Sequence, residues 1–270
     1  MPSLADVTAV AERLWPASGT ESWDAPGLLA GAPSARISRI HLALDATVAT
    51  AREAVDLGAD LLFVHHPLLL RGVTSVAEDR YKGAVIGTLL RGGCALLAAH
   101  TNADVVPTGT SAVLADRIGL RGSAPLVPGA LEGFGLGRIG TLDEPESLRR
   151  FARRVSDAIP STVGGVRVAG DPDRMIRTVA LCAGAGDSLV AHPAVLSADV
   201  YLTSDLRHHP ASEAIENADI AGGPALVDIA HWAAESIWLD TAASELRREL
   251  PGVEVSVSAL STDPWTFRVD

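Results

Sequence analysis

Ala59-Asp60-Leu61-Leu62-Phe63-Val64-His65-His66-Pro67 is the stretch that decides the fold. Leu61 to Val64 form a continuous apolar run that Pro67 ends, which predicts a strand buried on both faces. The same wording returns as Ala198-Asp199-Val200-Tyr201-Leu202-Thr203-Ser204-Asp205. A second echo follows each copy. Gly92-Gly93-Cys94-Ala95-Leu96-Leu97-Ala98-Ala99-His100 is answered by Gly222-Gly223-Pro224-Ala225-Leu226-Val227-Asp228-Ile229-Ala230-His231, with one residue inserted. Four residues past those histidines stand Asp104 and Glu235. Two related halves that carry His and carboxylate to matching positions can build a metal site between them.

Outward from this repeat, the first half predicts a helix to Leu14, then a polar loop holding Trp23-Asp24-Ala25-Pro26-Gly27. A strand over 37–44, a helix over 47–57, the strand over 61–64, a helix over 81–91 and a strand over 95–99 follow. That β-α-β-α-β order implies parallel strands with right-handed crossovers. A further helix is predicted over 110–118. The middle, 121–173, is rich in Gly and Pro around one arginine-rich helix at 145–158, in which Arg149, Arg150, Arg153 and Arg154 read as a solvated face. Gly135-Leu136-Gly137-Arg138-Ile139-Gly140 spells G-x-G-x-x-G, but no strand precedes it and no helix opens from it, so it reads as loop into strand. The second half predicts strands over 179–182, 200–203, 225–229 and 253–258. Its helical stretches are expected over 189–196, 211–217 and 232–250. The expected fold is α/β, two intertwined halves with mostly parallel strands. The first half spans 1–125, a connecting segment 126–175 and the second half 176–270.

A net charge of −11 without a basic run argues against nucleic acid, whose binding relies on Lys and Arg. The start of the chain has helical spacing with internal charges rather than the pattern of a signal segment. No apolar stretch is long enough to span a bilayer. Cys94 and Cys182 read as buried reduced thiols, which fits a cytoplasmic protein.

The candidate metal ligands are His65, His66, Asp104, His231 and Glu235. His65 and His66 close a strand, where open α/β sheets gather their ligands. Adjacent strand residues diverge, but at a strand end broken by Pro67 the two rings can splay around a pair of ions. His231 and Glu235 are spaced i, i+4 and share a helix face. Three imidazoles and two carboxylates suit two divalent ions such as Zn, Fe, Mn or Co, with Glu235 as the expected bridge. His100 aligns with His231 and reads as a ligand, an orienting partner or a proton carrier. Asp205 aligns with His66 and is followed by His208-His209. Asp205 and His209 read as acid/base groups, or Asp205 as a helix N-cap. Gly184-Ala185-Gly186-Asp187-Ser188 offers either backbone N–H groups to an anion or a tight turn.

At these residues the chain resembles the Nif-three-like dinuclear metal-centre family, whose members are often labelled GTP cyclohydrolase I type 2 homologs. The matching blocks are Trp23-Asp24-Ala25-Pro26-Gly27-Leu28-Leu29, Val64-His65-His66-Pro67-Leu68, Ala99-His100-Thr101-Asn102-Ala103-Asp104, the run from Ala198 to Asp205, and His231-Trp232-Ala233-Ala234-Glu235. They span nearly the whole chain in the family's order. The resemblance implies a two-metal site at positions matching His65, His66, Asp104, His231 and Glu235. It also implies halves related by a pseudo-dyad, and a toroidal homohexamer. The chain looks like the short form, without an inserted domain. Ser204 and Ala25 depart from the Gly and Asn that the family more often has there.

The leading functional expectation is a metal-dependent hydrolase acting on a small molecule, by resemblance a purine nucleotide. The ions would acidify water toward a pKa of about 7, and His209, His100 or Asp205 would carry protons. Two-metal phosphoester or amide hydrolysis is equally open. A protein of another class, one that holds metal for regulation or interaction without chemistry, is the alternative.

Overall fold

The computed structural model describes residues 1–269. In chain order it contains α1 (Leu4–Leu14), β1 (Gly27–Ala30), β2 (Arg39–Asp45), α2 (Val48–Asp56), β3 (Leu61–His66), α3 (Tyr81–Arg91), β4 (Ala95–Ala98) and α4 (Thr101–Asp104). Then come α5 (Thr110–Arg117), β5 (Arg121–Ala124), β6 (Val127–Pro128), β7 (Gly135–Leu136), β8 (Arg138–Ser147), α6 (Leu148–Ala158), β9 (Val166–Ala169) and β10 (Met175–Ala185). The chain continues through α7 (Pro193–Leu196), β11 (Val200–Ser204), α8 (His208–Ala221), β12 (Ala225–Ile229), α9 (His231–Ser236), α10 (Leu239–Glu249) and β13 (Glu254–Val257). Two compact units emerge: residues 1–103 with 239–262, and 104–238 with 263 onward.

The first unit holds a five-stranded sheet ordered β1-β4-β3-β2-β13. Four of its strands run parallel, and β1 closes one edge antiparallel to β4. Every residue from Leu61 to Val64 is fully buried, as a strand covered on both faces requires. α2 opens on a Thr47–Thr50 capping box. Its Ala51 and Ala54 join the core cluster with Val85 and Leu89 of α3.

The second unit holds a six-stranded sheet ordered β5-β8-β10-β11-β12-β9. Here β10, β11 and β12 are parallel, and β9 closes the edge antiparallel to β12. β8 lies antiparallel beside β10. The strands β1 to β4 and β9 to β12 therefore follow one order, edge strand first. Asp60 and Asp199 show how deep the likeness runs. Asp60 accepts the amides of Ser38 and Arg39 at 2.7 and 2.9 Å. Asp199 accepts those of Arg177 and Thr178 at 2.9 and 2.7 Å. Each carboxylate ties the foot of one parallel strand to the start of its neighbour. The residue inserted in the second copy lies at a strand end: β12 has five residues where β4 has four.

Several sequence expectations change in detail. The long helix expected over 232–250 is two, α9 and α10, and the chain leaves the second unit between them, at Trp238–Leu239. Buried Trp238 fills that break. The stretch 189–196 is a 3₁₀ turn (Asp187–Leu189) followed by the four-residue α7. α8 starts at His208 with Arg207 in the cap position, so Asp205 is not its N-cap. The segment 126–175 supplies β6 to β9 and α6, and β8 and β9 are members of the second sheet. Gly135 to Gly140 runs through β7 into β8, a strand context without a phosphate cradle. Among the described residues no helix is long and apolar enough to cross a membrane.

Candidate metal centre

In the first unit, β3 ends on His65 and His66, and β4 leads through Ala99 to His100. Parallel neighbours deliver their carboxyl ends to one edge of the sheet, so the three rings converge. Ring centroids lie 4.9 Å apart for His65 and His66, 5.1 Å for His65 and His100, and 5.4 Å for His66 and His100. One nitrogen from each lies within 4.8 Å of the other two.

Each ring is turned by its other nitrogen. His65 Nδ1 lies 2.8 Å from the carbonyl oxygen of Ala99. His66 Nδ1 lies 2.7 Å from Asp45 Oδ1, and Asp45 sits beside His66 in the β2–β3 register. His100 Nδ1 lies 2.8 Å from Asp24 Oδ1. An acceptor on Nδ1 places the proton there and leaves the Nε2 lone pair for a cation, the usual dress of a metal-ligating histidine. Asp24 also accepts from Thr101, through its amide at 3.1 Å and its hydroxyl at 2.6 Å. Burial works to raise the Asp24 pKa, but the hydrogen bonds from His100 and Thr101 outweigh it and hold the carboxyl below its usual range.

The second unit repeats this chemistry with a different mixture. His231 opens α9, and Glu235 stands one turn on, so His231 Nε2 and Glu235 Oε2 lie 3.0 Å apart. His231 Nδ1 lies 2.7 Å from Asp205 Oδ2. Asp205 adopts φ +58°, a left-handed conformation that Asp tolerates, and this turns its carboxylate toward the imidazole. Burial opposes protonation of His231, but Glu235 and Asp205 outweigh it and push its pKa up to about 11. Asp104 is buried, accepts from the Thr110 hydroxyl, and has a carboxylate oxygen within 4.8 Å of one on Glu235.

Gly184, at φ +76°, lies against Glu235: a Cβ there would stand 2.2 Å from Glu235 Oε1. The glycine run at 184–188 thus provides a close backbone approach to a buried carboxylate. Gly186 likewise meets the Tyr201 and Thr203 hydroxyls. His209 is exposed, with His208 beside it at 5.1 Å between ring centroids. Asp205, expected as an acid/base group or a helix N-cap, stands with Oδ2 2.7 Å from His231 Nδ1. Sequence reasoning gave Asp24 and Asp45 no role. The available signals were an acid at the carboxyl end of β2, and an acid inside the tryptophan block.

This donor set fits divalent metal on its own chemistry. The first unit holds three imidazoles, and the second holds one imidazole with two buried carboxylates; each of these imidazoles has Nδ1 engaged by an oxygen acceptor. The chain thus carries His and Glu groups able to bind a metal ion.

Comparison with known proteins agrees over the whole length. The chain is 45% identical over 276 aligned positions to a Streptomyces coelicolor protein named GTP cyclohydrolase 1 type 2 homolog, covering 100% of this chain and 95% of that one. A Mycobacterium tuberculosis protein of the same name is 33% identical over 372 positions, covering 98% and 97%. That alignment exceeds this chain's 270 residues, so the mycobacterial relative carries an insertion that this chain lacks. Among solved structures, a Staphylococcus aureus hypothetical protein matches with TM-score 0.89 at 26% identity, covering 98% and 99%. A Bacillus cereus protein related to NIF3 matches in fold with TM-score 0.89 at 22% identity, covering 99% of each chain. Residues 2–264 match the family described as Duf34/NIF3 (NGG1p interacting factor 3), and the chain belongs to that family.

Proposed function

We propose that this protein is a dinuclear metal-dependent hydrolase whose ligands are His65, His66, Asp104, His231 and Glu235. The observation that carries the reading is the orientation of the histidines: each is held at Nδ1 by an oxygen acceptor. When bound, a pair of divalent ions supplies acidified water and polarises the bond to be cleaved.

The chain's own residues do the rest. Asp45, Asp24 and Asp205 orient imidazoles and fix their tautomers. Gly184 leaves room for Glu235. His100, beside His65 and His66, is a third nitrogen donor or a proton carrier on the same edge. His209 stands exposed on α8, where it would have to reach a substrate rather than a ligand. The relatives' printed name supports a purine nucleotide as the first substrate to try. Homohexameric assembly and a cytoplasmic location belong to the same reading, and two free buried thiols suit a reducing compartment.

The test is turnover of a panel of nucleotides, phosphoesters and amides by metal-reconstituted protein. Loss of turnover in Glu235→Ala with folding intact supports the hydrolase. Full metal loading with no turnover across the panel would instead favour a metal-binding protein without chemistry.

A further inference from the structure

Trp23 is 60% exposed, and its indole stands edge-on to His100 with ring centroids 5.9 Å apart. Exposure alone is ordinary, since Tyr81, Trp265 and Phe267 are exposed too; the place beside His100 is what sets Trp23 apart. The loop that carries it is not loose. The adjacent Asp24 side chain is fully buried and bonded to His100 and Thr101. The Glu21 amide donates to the Thr101 hydroxyl at 3.0 Å. The indole is therefore presented on a fixed frame beside the histidine cluster.

The second unit supplies a control. Its edge strand β9 is preceded by Ser161-Thr162-Val163-Gly164-Gly165, which has no aromatic residue. His231 there takes its carboxylate from Asp205 and not from the loop before the edge strand. The shared strand order can thus be built without an aromatic at this place, and the aromatic appears only where three histidines gather.

We propose that Trp23 is a binding residue for a flat conjugated heterocycle, stacking its ring beside His65, His66 and His100. This deepens the hydrolase reading by naming the residue that would hold the base, and rests on that reading for the reaction. A rigid indole offers a π-face that accepts any such ring, whatever its hydrogen-bonding edge. Selection among heterocycles falls to other groups.

Calorimetric titration with guanosine, adenosine and uridine, against ribose as the non-aromatic control, tests this in metal-loaded and in chelated protein. Trp23→Ala is expected to weaken nucleoside binding roughly tenfold or more. Trp23→Phe should stay close to wild type, ribose should not bind, and metal content should be the same in all three proteins. Equal nucleoside affinity in wild type and Trp23→Ala, or no nucleoside binding by wild type, would overturn the assignment. Trp23-dependent binding in a protein that never loads metal would sustain the assignment while removing the hydrolase reading.

Discussion

In the first unit, the parallel strands β3 and β4 deliver His65, His66 and His100 to one sheet edge. In the second, the corresponding strands β11 and β12 deliver Ser204, Asp205 and, two residues past a longer strand, His231. The backbones agree down to the paired aspartates Asp60 and Asp199, yet the chemistry has separated. One unit concentrates imidazoles. The other surrounds a single imidazole with carboxylates. Strand order fixes where donors appear, while the residue types at the strand ends fix what they are. The orienting partners differ too: Asp24 from the loop before β1 holds His100, whereas Asp205 from the end of β11 holds His231.

The sharpest break of this comparison is steric. Gly184→Ala places a methyl carbon against Glu235 at a positive φ. Metal affinity should fall by at least about a hundredfold, beyond the usual effect of losing an orienting partner. Competition with a chelating dye reads this, and unchanged affinity would deny Gly184 its role beside Glu235.

Next in size are the orienting carboxylates. Asp205→Asn should weaken metal binding by about 10–100-fold, and Asp24→Asn should do the same if His100 serves as the third nitrogen donor. They should differ in stability. Asp24 is fully buried, and its change should cost about 1–3 kcal/mol in urea denaturation of the metal-free protein. The Asp205 side chain is 57% exposed and Asn tolerates its backbone, so its change should stay within about 0.5 kcal/mol. Equal stability losses would erase the contrast between the units.

Smaller still is the effect of the shared tie. Asp60→Asn and Asp199→Asn should each cost about 1 kcal/mol in urea denaturation. For Asp60, burial raises the pKa, but bonds from Ser38 and Arg39 outweigh it and hold the folded value below 3.8. A lowered folded pKa means the carboxylate stabilises the fold above its unfolded value and loses that contribution as pH falls through the folded one. The gap between wild type and Asp60→Asn should therefore close as pH drops below about 3.8. A gap that widens would reverse the sign.

The smallest expected effect is none at all. Burial pushes the Cys94 and Cys182 thiols up to about 12, one in each unit. A thiol reagent at pH 8 should label neither cysteine in the native protein and both after unfolding.

Much of the fold was legible because buried parallel strands are written as short apolar runs. Leu61 to Val64 and Val200 to Thr203 needed only their breakers to be found. The candidate ligand positions could be picked out because the repeat aligns His100 with His231 and Asp104 with Glu235. Asp24 and Asp45 were not, since nothing local says which imidazole lies 76 or 21 residues away in sequence. The break between α9 and α10 was hidden because 232–250 keeps helical spacing through Trp238, and only tertiary packing places that indole in the core. The division of units was hidden for a related reason: the chain leaves each unit and returns, so composition along the sequence does not mark the boundaries.

The central claim is that these histidines and carboxylates bind metal. Elemental analysis of protein purified without chelator, wild type beside Glu235→Ala, tests it most directly. About two ions per wild-type chain are expected, with a sharp fall in the variant while the fold is retained. Wild-type protein that stays metal-free after reconstitution with Zn, Mn, Co or Fe would contradict it.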